Sequence, residues 1–410
     1  MNILVVNWTW YPSGGDWTYV ESIVDLYQQK GHRVIPFSMK DDRNFETPYA
    51  AYFIENIDYK KINQRSITAG IKVITKSIYS TEAQKKLERL LSTVKIDFAH
   101  INVIHHYITP TILKILKGRN IPIIWTLHEY TPICPESTFI SHDDICERCI
   151  GGAFYNCVTH SCKKGSYLAS TVAALENYVH RYLDYYAFVD HFICPSVFVY
   201  NKFKQFNFHT NKLVQLYHGY DYTEIGAAKQ KSKLTGERYI VFVGRLEKIK
   251  GAHTVLNAIK CCPGINLKII GTGTQEMALK EFKEKYKLSN VTFEGKKSKK
   301  DTLQIINEAE FLICASEWYE VLGFTVVEAM ALGKPVIGSA IGAIPEMVIH
   351  NSTGLLFEPG DYKQLATLIE ELYNNALQIE KMGKNAQLHI NTLIDTEKHF
   401  EGLQKLIPGL

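Results

Sequence analysis

The sequence predicts an α/β protein built from two Rossmann-like parallel-sheet domains that face each other across a cleft. Three observations support this prediction: the length of 410 residues, the alternation of short apolar segments with helical periodicity, and a switch between two such series near residue 215. Roughly 100–200 residues per domain is usual, so this length favours two or three domains. Apolar strands that alternate with helices are typical of βαβ units, whose strands run parallel.

The first fifty residues contain one complete βαβ unit. Residues 3–8 form an apolar segment that predicts a strand, and the loop TWYPSGGDW follows. The positions i, i+3, i+4 and i+7, which share one face of a helix, are then occupied by Val20, Ile23, Val24 and Tyr27. Gly31 stands where a helix stop belongs, and 34–38 predicts the next strand.

The same alternation continues in both halves of the chain. In the first half we expect strands at 96–103, 121–127 and 190–196, and a long helix from about Ser166 to Tyr186. A polar stretch at 227–238 precedes the second series. Its predicted strands are 239–246, 265–271, 291–296, 311–316, 335–340 and 353–359, with an amphipathic helix at the end of the chain. Each half therefore predicts its own parallel sheet.

Composition and charge exclude several classes of protein. Hydrophobic residues make up 46% and charged residues 21%, as in an ordinary folded chain. Lys and Arg outnumber Asp and Glu by 46 to 42, which is too small an excess to predict a nucleic-acid partner. No apolar run reaches the ~18–20 residues of a membrane span, and MNILVVNW lacks the features of a signal peptide. We therefore expect a soluble, cytoplasmic protein.

Residues 315–348 carry the most informative motif. A strand is predicted to end near Ser316 and a helix to begin near Gly323, with Glu320 in the loop and Glu328 in the second helical turn. Backbone N–H groups of Gly323, Phe324 and Thr325 at such a helix start can cradle a diphosphate. Glu328 can accept hydrogen bonds from ribose hydroxyls, and Glu320 can reach a sugar. Taken alone, such a pair is most often two solvated glutamates on a surface helix.

The surrounding residues favour the functional interpretation. The pattern E-x7-E within EVLGFTVVEAMALGKPVI closely resembles the donor-binding signature of family 4 glycosyltransferases of the GT-B fold. The likeness includes the Gly-Phe helix start and extends over nearly the whole chain. It implies an acceptor-side domain over 1–215, with a cysteine-rich insertion at 134–162 and a C-terminal helix of about 395–410 that packs back on it. A domain over 216–394 would bind the nucleotide-sugar donor.

The resemblance assigns further donor-binding residues. GRLEKIKG offers Arg245 and Lys250, which in this family neutralise the donor diphosphate as charge builds on the leaving group. The SGG loop offers Gly15 and Gly14, where the backbone approaches the phosphates closely. A solvated basic turn and a plain tight turn are the alternatives for these two segments.

Histidines follow two of the predicted strands. His128 in TLHEY stands at a carboxyl strand end, where ligands bind in open α/β sheets. The resemblance implies that it hydrogen-bonds the donor sugar near the anomeric carbon, whereas a lone strand-end histidine is more often structural. His105 and His106 can line the acceptor side or be structural. His218 departs from the family, which usually carries Asn before Gly219, and this leaves the contacts of that turn open.

The resemblance also implies the reaction. A retaining hexosyl transfer would move a sugar from a nucleotide-diphosphate sugar, with UDP favoured, to a glycan or lipid-linked acceptor, in cell-surface polysaccharide synthesis. The departing diphosphate would take the acceptor proton, and no divalent metal would be needed because two basic residues hold the diphosphate. The implied catalytic residues are His128, Glu320, Arg245 and Lys250. A sugar-nucleotide epimerase of the same architecture and a non-catalytic sugar-nucleotide-binding protein remain alternatives.

Five of the nine cysteines fall between Cys134 and Cys162. A C-x2-C pair with further cysteines nearby is typical of a structural zinc site. A subset of family 4 carries a similar insertion, and the resemblance implies zinc held by Cys134, Cys146, Cys149 and Cys162. Cys157 would be the spare thiol. An iron–sulfur cluster and disulfides are the alternatives.

A basic stretch lies in the first half of the chain. Between Lys60 and Lys95 there are nine Lys and Arg but only two acidic residues, Glu82 and Glu88. Within it, an isoleucine stripe flanked by lysines could sit on anionic lipid, which would suit a lipid-linked acceptor. Residues 60–95 would then contact the inner face of the membrane. A solvated charged face is the alternative.

Overall fold

The computed structural model describes residues 1–56, 76–230 and 236–410. They form two compact units. Unit 1 comprises Met1–Gly219 and Thr396–Leu410, and unit 2 comprises Tyr220–Asp395. Within the described ranges each unit contains a six-stranded sheet whose paired strands are all parallel. The predicted fold class, two Rossmann-like parallel-sheet domains, is confirmed.

Unit 1 places its sheet between layers of helices. Its strands are β1 (Asn2–Val6), β2 (Arg33–Phe37), β3 (Phe98–Ile101), β4 (Ile123–Thr126), β5 (Ile140–Ser141), β6 (Asp144–Ile145), β7 (His191–Cys194) and β8 (Leu213–Gln215). The parallel sheet has the order β2-β1-β3-β4-β7-β8, while β5 and β6 pair antiparallel. β1 is apolar at Ile3 through Val6 and fully buried there, because helices cover both faces of a parallel sheet.

The helices of unit 1 follow the predicted pattern with shorter ends. They are α1 (Gly15–Gln29), α2 (Thr81–Thr93), α3 (Ile112–Gly118), α4 (Tyr155–Thr159), α5 (Tyr167–Tyr182) and α6 (Val197–Gln205). In α1, Val20, Ile23 and Tyr27 are buried, as their spacing predicts. α5 ends at Tyr182 rather than near Tyr186, because Asp184 adopts a left-handed conformation with φ 47° and a 3-10 turn follows.

Unit 2 repeats the architecture. Its strands are β9 (Tyr239–Val243), β10 (Asn266–Ile270), β11 (Val291–Gly295), β12 (Leu312–Cys314), β13 (Val336–Ser339) and β14 (Gly354–Phe357), in the order β11-β10-β9-β12-β13-β14. Each of the six segments predicted as strands contains one of them. The helices are α7 (Thr223–Gln230), α8 (Ala252–Lys260), α9 (Glu276–Lys285), α10 (Lys299–Glu308), α11 (Phe324–Ala331), α12 (Ile344–Met347), α13 (Tyr362–Tyr373) and α14 (Ala376–Leu393).

The last helix, α15 (Thr396–Leu406), belongs to unit 1. It buries His399, Phe400 and Leu403, and Lys30 Nζ, directly after α1, lies 2.7 Å from a carboxylate oxygen of Glu397.

The basic stretch is described only in part. Residues 60–75, with most of the isoleucine stripe, lie outside the described residues, whereas 76–95 include α2. Lys76 Nζ lies 3.0 Å from a Glu82 carboxylate oxygen, so part of the positive charge is neutralised locally. Of the helices in the described ranges, none has the length and apolarity that a membrane span requires.

Two helical glycines in unit 2 provide a test of packing. A Cβ at Gly383 in α14 would lie 2.1 Å from the carbonyl oxygen of Gly333, whereas a Cβ at Gly226 in α7 would meet nothing within 4 Å. We expect Gly383→Ala to destabilise the protein by about 1–3 kcal/mol through overpacking. Gly226→Ala is the matched control and should stabilise by about 0.5–1 kcal/mol. Urea unfolding measures both, and equal stabilisation by the two changes would contradict the close packing of α14.

Candidate functional site

In unit 2, the loop after β12 leads into the start of α11. β12 ends at Cys314, and Gly323, with a left-handed φ of 96°, precedes the first residue of α11. The first hydrogen bonds of the helix are donated by the N–H groups of Val326 and Val327 to the carbonyl oxygen of Gly323. Phe324 and Thr325 precede those donors, at positions where backbone N–H groups point out of a helix start. The helix start therefore suits an anion.

Glu320 in this loop forms a nearly buried ion pair. Lys250 Nζ donates to Glu320 Oε1 at 2.5 Å, and Ser316 Oγ donates to the same oxygen at 2.6 Å. Burial acts to raise the pKa of Glu320, but the Lys250 ammonium and these hydrogen bonds bring the pKa below its ordinary value. Glu320 is therefore an ionised acceptor at neutral pH, and Lys250 is already engaged with it.

A glycine allows this pair to form. Gly251, directly after Lys250, has φ 70°, and a Cβ there would lie 1.8 Å from the carbonyl oxygen of Ala315. The loop after β9 can therefore lie against the end of β12, which brings Lys250 to Glu320. Any other residue would meet both backbone strain and a clash.

Arg245 differs from Lys250 in its surroundings. It follows β9 and is exposed, and in the described chain no carboxylate forms an ion pair with its guanidinium. Its five N–H donors can therefore meet an anionic ligand directly. From the sequence, Arg245 and Lys250 were expected to play the same role. In the structure the Arg245 guanidinium is accessible, whereas the Lys250 ammonium is bound to Glu320.

Glu328 in α11 lies in a different environment from Glu320. It is 8% exposed, and Tyr220 Oη donates to Glu328 Oε1 at 3.0 Å. Burial raises the pKa of Glu328 to about 7, against the opposing effects of Lys299 and Tyr220. Sequence reasoning missed Tyr220. Its signal was its place in the segment QLYHGYDYTEI, two residues after the departure at His218.

In unit 1, the predicted glycine loop meets the start of α1. Gly15 is the first residue of α1 and Gly14 precedes it with extended backbone at φ 164°. Both glycines are exposed, and a Cβ at Gly14 would meet only the Asp16 carboxylate, at 3.3 Å. The backbone at this helix start is therefore accessible to a ligand. Neither side chains nor a left-handed conformation of Gly14 is involved.

His128 follows β4 and is neutral. Its Nε2 lies 2.9 Å from Asn102 Oδ1, an acceptor, so that Nε2 carries the proton and Nδ1 keeps a lone pair. Burial lowers the pKa of His128 to about 3. An imidazole in this state accepts a hydrogen bond at Nδ1 but is a weak base.

Aromatic side chains surround His128. Tyr19 stacks on His218 with ring centroids 4.0 Å apart, and His128 lies 5.2 Å from Tyr19. His399 Nδ1 donates to the carbonyl oxygen of Tyr217 at 2.6 Å, so its Nε2 must accept the proton of Tyr19 Oη, 3.0 Å away. The stacking gives His218, the departure from the family pattern, a packing role. No local sequence signal could pair Tyr19 with His399.

His105 and His106 are held by carboxylates. His105 Nδ1 lies 3.0 Å from Glu129 Oε1, and His106 Nδ1 lies 2.6 Å from Glu176 Oε2. His105 is only 2% exposed, so the more accessible polar group there is Glu129, whose side chain is 29% exposed. Sequence reasoning missed these carboxylates, although Glu129 directly follows His128.

A second carboxylate, half-buried, lies at the same sheet edge. Trp8 Nε1 donates to Asp16 Oδ2 at 2.7 Å, and the Trp8 ring stacks on Tyr107 with centroids 5.3 Å apart. Carboxylates beside aromatic rings are a suitable environment for a polyhydroxylated ligand.

The cysteine-rich segment brings its five thiols together in the structure. Five thiols, those of Cys134, Cys146, Cys149, Cys157 and Cys162, line one small cavity, and all are free. Their chemistry suits a soft metal, but no group of three or more His, Cys, Asp or Glu side chains in the described ranges has an arrangement that could hold a metal ion. With no metal bound, burial raises the pKa of Cys134 and Cys149 to about 12, whereas a bound metal would deprotonate its thiol ligands. Zinc therefore stays a prediction from the sequence.

Two family models cover most of the chain. Residues 13–224 match the model described as Glycosyltransferase Family 4, and residues 225–389 match the model described as Glycosyl transferases group 1.

Curated relatives match over part of their length. An uncharacterized glycosyltransferase of Methanocaldococcus jannaschii, MJ1178, is 30% identical over 224 residues, which are 54% of this chain and 60% of that protein. Glycogen synthase of Mycobacterium tuberculosis is 30% identical over 39% of this chain and 40% of its own length. CapM of Staphylococcus aureus, a capsular polysaccharide biosynthesis glycosyltransferase, is 26% identical over 50% of this chain and 51% of its own. The chain thus spans about half the length of these relatives.

Solved structures share the fold over the whole chain. Sucrose-phosphate synthase of Thermosynechococcus elongatus superposes with a TM-score of 0.71 at 20% identity, covering 99% of this chain and 98% of that one. HepE of Anabaena, in complex with UDP and glucose, superposes with a TM-score of 0.67 at 18% identity and covers 100% of both chains.

The raised pKa of Glu328 predicts a pH-dependent stability. Between pH 4.5, its ordinary pKa, and about pH 7 the folded protein keeps a proton that the unfolded chain releases. The free energy of unfolding should therefore fall as pH rises through this window, by about 3 kcal/mol. Glu328→Gln removes the ionisable group, so the variant should gain stability over the wild type as pH rises from 4.5 to 7.

Urea unfolding at pH 4.5, 6 and 8 measures this difference. Glu371→Gln is the control, because it makes the same charge change at an exposed position of α13. A difference between Glu328→Gln and the wild type that does not change with pH would contradict a buried, protonated Glu328.

Proposed function

Because this chain belongs to glycosyltransferase family 4, we propose that it transfers a sugar from a nucleotide-diphosphate sugar to a glycan or lipid-linked acceptor. We further propose a UDP-sugar donor, transfer of a hexose with retention at the anomeric carbon, and a role in cell-surface polysaccharide synthesis at the cytoplasmic face of the membrane. The names of CapM, a capsular polysaccharide enzyme, and of HepE, whose structures contain UDP, support these finer assignments.

The observation that carries the proposal is the charge arrangement at the carboxyl ends of β9 and β12. An exposed guanidinium, a Lys250–Glu320 ion pair and a helix start come from successive loops of one sheet edge. This combination offers positive charge for a diphosphate and an ionised acceptor for sugar hydroxyls. Parallel α/β sheets bind ligands at this edge.

In unit 2, each donor residue has a distinct task in this proposal. Arg245 binds the diphosphate directly. Lys250 donates hydrogen bonds both to the diphosphate and to Glu320. The amides of Gly323, Phe324 and Thr325 add partial positive charge. These groups stabilise the charge that develops on the leaving diphosphate, so two basic residues do the work that a divalent metal does elsewhere. Glu320 accepts hydrogen bonds from the sugar and Glu328 from the ribose.

In unit 1, we propose that the backbone of Gly14 and Gly15 approaches the donor phosphates and that His128 contacts the transferred sugar. The free lone pair on His128 Nδ1 would accept a sugar hydroxyl, because Nε2 is engaged with Asn102. With a pKa of about 3, His128 is a poor proton acceptor. This supports a route in which the departing diphosphate, rather than a protein base, takes the acceptor proton.

Arg245→Ala should lower the rate of transfer by more than ~100-fold, about 2.7 kcal/mol of transition-state stabilisation. Lys248→Ala is the matched control, since it removes an exposed cation from the same turn, and it should leave the rate within about threefold of wild type. Release of nucleoside diphosphate measures the rate. A near wild-type rate for Arg245→Ala would contradict its assignment, and conversion of the donor to an epimer without acceptor would contradict sugar transfer.

Thermal shifts with UDP-, GDP-, ADP- and dTDP-sugars should identify one nucleotide class. A ligand at ~100 times its dissociation constant adds about 2.7 kcal/mol. UDP alone should still stabilise both the wild type and Glu320→Gln, whereas the extra shift from the sugar should be lost only in Glu320→Gln. Glu317→Gln in the same loop is the control, because Glu317 is bound by Thr254 Oγ1 rather than by Lys250. No stabilisation by any of the four would contradict a donor site.

A further inference from the structure

Helix α5 of unit 1 has an inverted distribution of polar and apolar side chains. Its buried face carries polar residues whose hydrogen bonds are made inside the unit: Glu176 binds His106, and His180 Nε2 lies 2.9 Å from the carbonyl oxygen of Ile78. Its solvent face is apolar, with exposed fractions of 67% at Tyr167, 72% at Leu168, 46% at Leu175, 39% at Tyr178 and 88% at Tyr182. At roughly 100° per residue these five lie within a sector of about 100°.

The cysteine-rich segment extends this face. Ile150 and Tyr155 are 46% and 60% exposed, and the Tyr155 N–H donates to Tyr178 Oη at 3.0 Å. The ring of Phe154 also meets Tyr178 edge-on, at 5.2 Å. We call the seven exposed apolar residues the α5 surface: Ile150, Tyr155, Tyr167, Leu168, Leu175, Tyr178 and Tyr182.

This concentration is unusual within the described part of the chain. Half of the large apolar side chains that are exposed there lie between Ile145 and Leu183. Soluble monomers scatter exposed apolar residues singly, and a clustered patch marks an interaction site. The buried face of α5 supplies its contacts with unit 1, so packing among the described residues does not account for the exposed face.

Between residues 148 and 183, which contain the α5 surface, the exposed charges have one sign. Residues 148–183 contain four Lys and Arg, namely Arg148, Lys163, Lys164 and Arg181, none of which is buried. The single acid in this range, Glu176, is buried and bound to His106. Asp184 follows, 3.8 Å from His209 Nε2. The surface is therefore apolar with a cationic border and has no exposed carboxylate between 148 and 183.

We propose that the α5 surface docks on an anionic phospholipid bilayer. The leucines and the isoleucine would enter the boundary between head groups and acyl chains, the tyrosines would sit at the interface with their hydroxyls in water, and the four cations would meet lipid phosphates. A second copy of the chain fits less well, because a two-fold pairing of this surface would bring two cationic borders together without carboxylates between them. The proposal does not depend on glycosyl transfer.

Vesicle sedimentation of the full chain tests the docking. We expect binding to vesicles of phosphatidylglycerol mixed with phosphatidylcholine, weaker binding at high salt, and little binding to phosphatidylcholine alone. Leu168→Ser with Leu175→Ser should lower the partition coefficient at least about tenfold. Leu377→Ser with Leu388→Ser is the matched control, because these leucines of α14 are 80% and 71% exposed, and it should bind as the wild type does.

Several outcomes would overturn the proposal. One is that the wild type fails to sediment with phosphatidylglycerol vesicles, and another is that the control loses as much binding as the α5 variant. Loss of binding in Lys72→Ser with Lys76→Ser, but not in the α5 variant, would assign the contact to 60–95 instead. A dimer in light scattering that only the α5 variant dissociates, without vesicle binding, would identify a second copy as the occupant. Unchanged unfolding midpoints would show that the variants are folded.

Discussion

The ion pair between Lys250 and Glu320 is the contact on which the candidate donor site depends. It requires that the loop after β9 lie directly against the end of β12, which the left-handed Gly251 permits. Loss of one partner from such a buried pair costs about 3–5 kcal/mol, because the other charge remains without compensation. The same contact keeps Glu320 ionised and positions Lys250 beside the start of α11. Structure and proposed chemistry therefore rest on the same two side chains.

The local environment, rather than the residue type, decides the pKa values of the buried titratable groups in each unit. Glu320 and Glu328 lie eight residues apart, yet a cationic partner lowers the pKa of one and burial raises that of the other to about 7. In unit 1, burial keeps His128 neutral, and the hydrogen bonds of Asn102 and His399 fix which nitrogens carry protons. These groups suit hydrogen bonding to a sugar better than proton abstraction, in agreement with the proposed role of the diphosphate.

The cysteine-rich segment does more in the structure than bring its thiols together. Its thiols line a cavity without the arrangement of a metal site among the described residues, while Phe154 and Tyr155 pack against α5. The segment thus helps to form an exposed apolar surface of unit 1. Exposed apolar side chains and buried polar ones on a single helix are opposite to the usual distribution, and the lipid surface that we propose would restore it.

Local sequence patterns were enough to predict the features that depend on neighbouring residues. Apolar runs, helical spacing and the Gly-Phe start of α11 are local signals, and they predicted two parallel sheets and the positions of Glu320 and Glu328. Helix ends were less predictable, since the left-handed Asp184 ended α5 early. The contacts of Tyr19 with His399 and of Tyr220 with Glu328 were not predictable from local patterns. The same is true of the outward orientation of the apolar face of α5. Those contacts join residues that lie far apart in the chain, so packing and burial, which no local pattern encodes, decide them.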